Sequence, residues 1–316
     1  MLTNMDVSVV ICTWNRAELL AQTLERLTAV SVPSNIVWEV IVVNNNCTDS
    51  TDDVISLFAE RLPLRRVFEA TPGLSHARNS ALRQARGQWV LFTDDDVLVE
   101  REWIGACVEV ARRFPEAAVI GGPIDPWFVV PPDPALIEAF PIAGRGFCGL
   151  DRGPRERVLN DDEDVYGANM AFKKDRIDGQ WFNAALGVTP ASLIGGEETD
   201  YIRRVRQRGQ VVWSPTMRVK HYVEPSRLTL PYVKKFYVNH ARMLVKLGSV
   251  PAGLATPGPA LFGAPRWLWR STVSAYLRYQ VARMLRAGDE LVRLRDYCLL
   301  LGLLLEQRVM SRSRPS

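Results

Sequence analysis

Short apolar runs alternate with helical patterns through the first part of the chain. Four runs have the length of a strand, at residues 7–13, 37–43, 64–69 and 88–93. After the first run, leucines at positions 19, 20, 24 and 27 recur with the period of a helix. Strands that alternate with helices indicate a mostly parallel sheet with helices on both faces. The pattern therefore predicts an α/β fold.

Polar clusters follow three of these predicted strands at the point where each strand ends. They contain Thr13 to Arg16, Asn44 to Asn46, and Asp94 to Asp96. Ligands bind to open α/β sheets outside the carboxyl ends of the strands. The positions of the clusters therefore predict a binding site at one edge of the sheet.

The acidic cluster Asp94 to Asp96 gives the clearest indication of chemistry. Three adjacent carboxylates repel one another unless a positive charge lies between them. Mg²⁺ or Mn²⁺, which bind oxygen ligands, would supply that charge and would bring a diphosphate with it. The alternative is a solvated acidic turn that caps the following helix.

The pattern is less regular beyond the fourth predicted strand. Residues 123–153 are rich in Pro and Gly and are predicted to form a loop, and residues 251–265 are predicted to form a linker. Helical patterns cover residues 267–287 and 289–310. We therefore expect a sheet-containing domain over residues 1–225 and a helical C-terminal extension over residues 226–316.

The composition limits the class of protein. Of the 316 residues, 47% are hydrophobic and 23% are charged, as in ordinary globular domains. The five cysteines are scattered without paired spacing, which favours a reducing cytosol over a disulfide framework or a structural zinc site. The apolar run at residues 298–305 is too short to span a membrane, and residues 1–6 lack the pattern of a signal peptide. We therefore expect a cytoplasmic protein.

Charge is distributed unevenly along the chain. From residue 226 onward there are 15 Lys and Arg against 4 Asp and Glu, a net charge of +11, whereas residues 1–225 carry −7. Aromatic and basic residues alternate at helical spacing between Arg266 and Arg286. This pattern suggests an interfacial helix on anionic lipid at the inner face of the cell membrane. Packing on the sheet-containing domain or pairing with a second chain is the alternative. We expect no nucleic-acid partner, because the acidic body would repel a polyanion.

Seven sequence blocks, in order, resemble the family 2 glycosyltransferases of the GT-A fold. They are VSVVICTWNR, VIVVNNNCTDST, GLSHARNSAL, WVLFTDDD, GANMAFKK, GGEETDYIRRVRQRG and VKHY, between Val7 and His221. The resemblance implies a Rossmann-like, mostly parallel sheet flanked by helices. It also implies metal-dependent, inverting transfer of a sugar from a nucleotide-sugar donor to a hydroxyl acceptor, in the synthesis of a lipid-linked or surface polysaccharide.

The resemblance assigns roles to residues in these blocks. The block WVLFTDDD matches the D-x-D signature of the family, which implies that Asp96 and Asp94, with His221, hold Mn²⁺ or Mg²⁺. The residues implied to bind the nucleotide-sugar are Thr13, Asn15, Arg16, Asn44, Asn45, Arg78, Asp94, Asp95 and Asn169. Asn44 or Asn45 stands where the family usually has an acid facing uracil. The resemblance implies a UDP-sugar, but an amide both donates and accepts hydrogen bonds where a carboxylate only accepts, so GDP and dTDP stay open as alternatives.

The block GGEETD matches the family segment that carries the catalytic base. In the resembling enzymes the second acid removes the proton from the acceptor hydroxyl, and here that position is Glu198. A Glu where Asp is commoner shifts the carboxylate by one methylene, so Glu197 or Asp200 could share or take the role. Capping of a helix N-terminus by these acids is the alternative.

Two other functional classes stay open on the sequence alone. A sugar-phosphate nucleotidyltransferase also combines an α/β fold with Mg²⁺, but it should carry a Gly-rich loop after the first strand, and CTWNRAE has no glycine. A non-catalytic relative that binds glycan or lipid is the second alternative.

Overall fold

The predicted alternation of strands and helices is present in the structure, a computed structural model that describes residues 5–187, 195–250 and 259–312. The strands are β1 (Val7–Thr13), β2 (Trp38–Asn44), β3 (Leu64–Phe68), β4 (Trp89–Asp94), β5 (Val97–Val99), β6 (Ala117–Gly121), β7 (Ile124–Phe128), β8 (Arg157–Val158), β9 (Met170–Lys173), β10 (Gln210–Trp213), β11 (Val219–Val223), β12 (Ala260–Leu261) and β13 (Ala264–Pro265). The helices are α1 (Ala17–Thr28), α2 (Thr51–Ala59), α3 (Leu74–Gln84), α4 (Trp103–Arg113), α5 (Pro134–Ala139), α6 (Pro141–Gly144), α7 (Glu197–Arg206), α8 (Leu230–Lys246), α9 (Arg266–Met284) and α10 (Glu290–Arg312).

Eight strands form the main sheet, in the order β3-β2-β1-β4-β9-β6-β10-β8. The pairs β1–β2, β1–β4, β2–β3 and β6–β10 are parallel, whereas β9 runs antiparallel to both β4 and β6. A second sheet has the order β5-β11-β7. The predicted mostly parallel α/β architecture is therefore confirmed.

The hydrophobic core lies on both faces of the main sheet. Alternate residues of β1 point to opposite faces, as the period of a strand requires. Val9 and Ile11 pack on one face with leucines of α1, and Val10 packs on the other face with residues of α3 and α7. The continuous apolar runs in the sequence arise because the strands are buried on both sides.

The chain divides into two compact units. The first contains residues 5–127, 145–187 and 197–223, and the second contains residues 128–144, 195–196, 224–250 and 259–312. The main sheet lies in the first unit, and helices α8, α9 and α10 lie in the second. We refer to them as the sheet unit and the helical unit.

The loop predicted over residues 123–153 contains regular structure, so that prediction is wrong in part. Strand β7 and helices α5 and α6 lie within it. Pro134 occupies the first turn of α5, where its missing N–H costs nothing, and the Asp133 side chain accepts a hydrogen bond from the Ala135 N–H at 2.9 Å. The proline that suggested a loop is in fact part of a helix start.

The helical unit is held together by close packing of α10 on α8 and α9. Leu268, Leu303 and Leu304 form its apolar core, with two alanines. At Gly302, a side chain would collide with the Val238 carbonyl of α8, so glycine permits the close approach of the two helices. Residues 251–258 of the predicted linker lie outside the described residues, and its remaining part contains the short hairpin of β12 and β13. In the described ranges, no helix is long and apolar enough to cross a membrane.

Candidate active site

Strands β1, β2 and β4 end side by side at one edge of the main sheet. Their parallel register pairs Thr13 with Asn44 and Cys12 with Asp94. The polar segments that follow the three strands therefore begin at the same level. Asp95 and Asp96 form the turn that leads from β4 to β5.

Arg16, directly before α1, supplies a positive charge to the acidic cluster. Its Nη1 atom lies 3.1 Å from Asp95 Oδ1 and 2.6 Å from Asp96 Oδ2. Burial and the charge of Asp96 raise the pKa of Asp95 to about 7, while Arg16 acts in the opposite direction. The repulsion that pointed to a metal ion is thus offset in part by an arginine 79 residues before Asp95 in the chain.

His221 reaches the same cluster from the second sheet. Strand β11 pairs antiparallel with β5, which sets His221 opposite Val97, next in the chain to Asp96. The Nε2 atom of His221 lies 3.3 Å from Asp96 Oδ1 and 4.0 Å from Asp94 Oδ2. Burial lowers the pKa of His221, but Cys148, Asp96 and Asp94 together raise it to about 10.

The three residues predicted as metal ligands form one compact donor set. Ligand atoms of Asp94, Asp96 and His221 all lie within 4.8 Å of one another. Two carboxylate oxygens and one imidazole nitrogen are donors that Mn²⁺ accepts, whereas Mg²⁺ is bound mainly by oxygen. The set therefore fits a divalent cation, and Mn²⁺ better than Mg²⁺.

A second arginine, Arg78 on α3, is buried between two acidic groups. Its side chain is 3% exposed, with Nη1 2.8 Å from Glu197 Oε1 and Nη2 3.8 Å from Asp94 Oδ1. The guanidinium lies over the Phe182 ring, 5.4 Å from its centre. A side chain at Gly167 would begin 2.5 Å from Arg78 Nη2, so glycine leaves room for the arginine. Arg78 therefore links the end of β4 to the first turn of α7.

The three acids in the first turn of α7 have different surroundings. Glu197 is buried and pairs with Arg78. Asp200 pairs with Arg204, one turn further along the helix, at 2.8 Å. Glu198 is half-buried and forms no ion pair with any other residue in the described part of the chain. Burial and the neighbouring Glu197 raise the pKa of Glu198 to about 8, although Arg78 opposes the shift.

Two of the asparagines predicted to contact the nucleotide, Asn15 and Asn44, form hydrogen bonds with the segment that follows β2. Asn15 has φ 53°, and its Oδ1 atom accepts a hydrogen bond from the Thr48 N–H at 2.7 Å. Asn44 accepts from the Cys47 N–H at 2.7 Å and donates to Asp52 Oδ1 at 2.6 Å. These amides fix the shape of the loops after β1 and β2.

Thr13 and Asn45 are tied into the same edge of the sheet. Asn45 donates to the carbonyl groups of Glu69 and Thr71 and accepts from the Gly73 N–H. Thr13 is buried, and its carbonyl accepts from the Asn45 N–H at 3.0 Å. Both residues shape the backbone beside the acidic cluster.

Asn169 lies inside the fold, away from solvent. Its Oδ1 atom accepts from Trp103 Nε1 at 2.9 Å, and its Nδ2 group donates to the carbonyls of Pro123 and Met217. The residue is fully buried. The structure therefore gives Asn169 internal partners and does not bring it among the polar side chains at the strand ends.

Three features of the site were not predicted from the sequence. They are the pairing of Arg16 with the acidic cluster, the pairing of Arg78 with Glu197, and the space that Gly167 leaves for Arg78. The two arginines were singled out as ligands of the donor, but their carboxylate partners are distant in sequence. No local spacing signals such a pairing.

Comparison with known proteins agrees with the motifs. Residues 8–127 match the model of the family described as Glycosyl transferase family 2. The succinoglycan biosynthesis protein ExoM of Rhizobium meliloti is 26% identical over 242 residues, 73% of this chain and 71% of that protein. The glucosyl-dolichyl phosphate glucuronosyltransferase of Haloferax volcanii is 25% identical over 252 residues, 77% of this chain and 78% of that protein.

Two solved structures share the fold. One is a mannosyltransferase from Pyrobaculum calidifontis in complex with GDP-Man and Mn²⁺, with a TM-score of 0.59 and 19% identity, covering 95% of this chain and 86% of that one. The other is TarS 1–349 of Staphylococcus aureus in complex with UDP-GlcNAc, with a TM-score of 0.57 and 14% identity, covering 95% of this chain and 92% of that one. The ordered motifs, the family match over residues 8–127 and the similarity to named glycosyltransferases together support a family 2 glycosyltransferase, and the chain has the GT-A fold.

Proposed function

We propose that the protein transfers a sugar, with inversion and with the help of a divalent metal, from a nucleoside-diphosphate sugar to a hydroxyl acceptor. The observation that carries the proposal is the convergence of Asp94, Asp96 and His221 in one donor set. Arg78 adds support, because it connects Asp94 to the turn of α7 that holds Glu198. Arg78 thus lies between one proposed metal ligand, Asp94, and the helix turn that carries the candidate base.

Asp94, Asp96 and His221 would hold the metal, and Mn²⁺ is the ion that we propose. When bound, the ion neutralises charge on the departing diphosphate. Arg16 holds the carboxylates of Asp95 and Asp96 in place, and its guanidinium geometry also suits a phosphate oxygen. We propose that Arg16 and the three metal-binding side chains together orient the diphosphate of the donor.

Glu198 is the proposed catalytic base. Inversion requires the acceptor oxygen to attack the anomeric carbon from the face opposite the diphosphate. The new bond joins that oxygen to the carbon, the bond from carbon to the diphosphate oxygen breaks, and the proton of the acceptor passes to Glu198. Glu197 and Asp200 are less suited, because each already pairs with an arginine. A raised pKa makes the deprotonated Glu198 a stronger base than an ordinary carboxylate.

We propose a UDP-sugar as the donor and a lipid-linked or surface glycan as the acceptor. The two structural neighbours carry GDP-Man and UDP-GlcNAc, so they support a nucleotide-sugar and leave the base open between uracil and guanine. The relatives named for succinoglycan biosynthesis and for a dolichyl phosphate substrate support a glycan or lipid-linked acceptor.

Release of nucleoside diphosphate from a panel of UDP-, GDP- and dTDP-sugars with Mn²⁺ tests this proposal, with water as the acceptor. We expect Glu198→Gln to lower the rate about 10²-fold or more, because the amide cannot take the proton. Affinity for the nucleoside diphosphate, measured by calorimetry, should change less than about threefold. Asp200→Asn is the matched control and should keep its rate.

Two outcomes would contradict the proposal. If the wild-type protein releases no nucleoside diphosphate from any donor in the panel, the proposed reaction is wrong. If Glu198→Gln keeps its rate and Glu197→Gln loses it, the transfer stands and the base has been assigned to the wrong residue.

A further inference from the structure

One long side of α9, in the helical unit, is apolar and exposed. Val273, Leu277, Val281 and Leu285 recur at intervals of four residues, and each is between 53% and 74% exposed. The opposite side of the helix is buried, through Leu268 and four further residues. We call the exposed side, from Trp269 to Leu285, the α9 surface. Because its apolar residues line one side of the helix, they form a continuous patch.

This patch continues beyond the helix in two directions. Beside α9 it borders a groove of about 600 Å³, whose walls include Trp269, Val273 and Leu277. At its start, Phe262 at the tip of the β12–β13 hairpin is 75% exposed and contacts the Trp269 ring edge to face. The Trp269 Nε1 group donates to the Leu261 carbonyl at 2.7 Å, which holds the hairpin beside the helix. Exposed apolar area of this extent marks an interaction site.

The charged residues of the α9 segment itself, residues 266–288, are all positive. Residues 266–288 contain five arginines and no acidic residue. The arginines are Arg266, Arg270, Arg278, Arg283 and Arg286. Within the described ranges, none of the five lies within ion-pair distance of a carboxylate, whereas the nearby Arg293 pairs with Asp289 at 2.8 Å. The five guanidinium groups are therefore available to an anionic partner.

We propose that the α9 surface binds an anionic lipid bilayer, with the helix parallel to the membrane plane. The apolar side chains would enter the boundary between headgroups and acyl chains, and the arginines would contact lipid phosphates. The apolar side chains and the arginines of α9 then both have partners, because a membrane surface offers apolar and anionic contacts within a few ångströms of each other.

Charge argues against a second copy of the chain as the partner. In a symmetric dimer each patch faces its own equivalent, so Arg270 and Arg278, which line the groove, would face the same two arginines of the second copy. Like charges across a buried interface are destabilising. Nucleic acid would pair with the arginines but leave the apolar side chains in water. The bilayer is the partner whose chemistry matches the whole surface.

Co-sedimentation of the full chain with vesicles tests the proposal. The vesicles contain phosphatidylcholine alone, or phosphatidylcholine with about one third phosphatidylglycerol. At about 50 mM NaCl we expect binding to the anionic vesicles, and at about 500 mM NaCl we expect it to weaken at least tenfold, because salt screens the arginines.

Matched substitutions distinguish binding through the α9 surface from a general attraction between positive charge and anionic lipid. Arg270→Glu/Arg278→Glu should lower the affinity for anionic vesicles at least tenfold. Arg101→Glu/Arg155→Glu changes the net charge equally at exposed positions of the sheet unit and should bind like the wild type. Leu277→Ser should also weaken binding, whereas Leu57→Ser, at an equally exposed leucine of α2, should not.

Several outcomes would overturn the proposal. One is wild-type protein that stays in solution with anionic vesicles at low salt. A second is equal loss of binding in the α9 variants and in their controls, which would make the attraction general. A third is a concentration-dependent dimer that sedimentation velocity detects and that Leu277→Ser dissociates. The α9 surface would then bind a second copy of the chain. Circular dichroism and the thermal midpoint of each variant identify any that fail to fold.

Discussion

Two arginines, one in each unit of the molecule, lie in opposite surroundings. In the sheet unit, Arg78 is buried, lies 2.8 Å from Glu197, and has Asp94 as a second neighbour. In the helical unit, Arg278 is exposed, and no carboxylate in the described residues lies within ion-pair distance of it. A buried charge must be paired within the protein, whereas an exposed one can be paired from outside. The comparison separates an arginine that is paired inside the protein from one on the surface that we propose binds a bilayer.

The largest expected effect concerns the stability of the sheet unit. Arg78→Met keeps much of the side-chain volume but leaves Glu197 buried without its arginine. We expect the free energy of unfolding to fall by about 3–5 kcal/mol, as when one partner of a buried ion pair is removed. The matched change Arg278→Met in the helical unit should stay within about 0.5 kcal/mol of the wild type.

Denaturant unfolding of the two variants measures this difference. Similar losses in both would mean that the buried pair contributes no more than an exposed arginine. The contrast between the two units would then lose its energetic basis.

A second prediction concerns the metal and is of intermediate size. We expect Mn²⁺ to raise the affinity for UDP at least tenfold, about 1.4 kcal/mol, and Asp96→Asn to remove that increase. Asp125→Asn, which alters a carboxylate paired with Arg218 outside the donor set, should retain it. Calorimetry with and without EDTA gives the values. Equal UDP affinity before and after chelation would remove the metal from the proposed function.

The smallest expected effect is the dependence of transfer on pH. Glu198 must be deprotonated to accept a proton, and its pKa is raised to about 8. The value of kcat/KM should therefore rise about fivefold between pH 7 and pH 8 and level off above pH 9. The same profile measured with Glu198→Gln should lose this rise. A profile that is flat from pH 6 to pH 9 in the wild type would contradict the role of Glu198.

The fold could be predicted closely where burial dictates the sequence. The predicted bounds of β1 match the structure, because a strand buried on both faces needs an unbroken apolar run. The prediction of secondary structure was less accurate where packing between elements determines whether a segment is helical. The sequence pattern sets no bounds for α8, because its polar and apolar positions become meaningful only against α10. The proline and glycine content around Pro134 favours a loop, although Pro134 starts helix α5.

The candidate site could be predicted in outline but not in its connections. Asp94 to Asp96, the acids of α7 and His221 were identified from blocks of sequence, and the structure brings Asp94, Asp96 and His221 together. Whether these residues act as proposed stays a prediction. Asn169, in contrast, matched a block and yet is enclosed by Trp103 and two backbone carbonyls.

The sequence by itself determined the α/β architecture, the edge of the sheet at which polar residues gather, and the division of the chain into an acidic part up to residue 225 and a basic part after it. Only the tertiary structure decided which charges meet. Arg16 pairs with Asp96 across 80 residues and Arg78 with Glu197 across 119, while the arginines of α9 meet no described carboxylate. The physical reason is that periodicity and composition indicate which residues are buried. Both are patterns among residues that are close together in the chain. An ion pair depends on the distance between side chains, which is set by strand register and helix packing after the chain has folded.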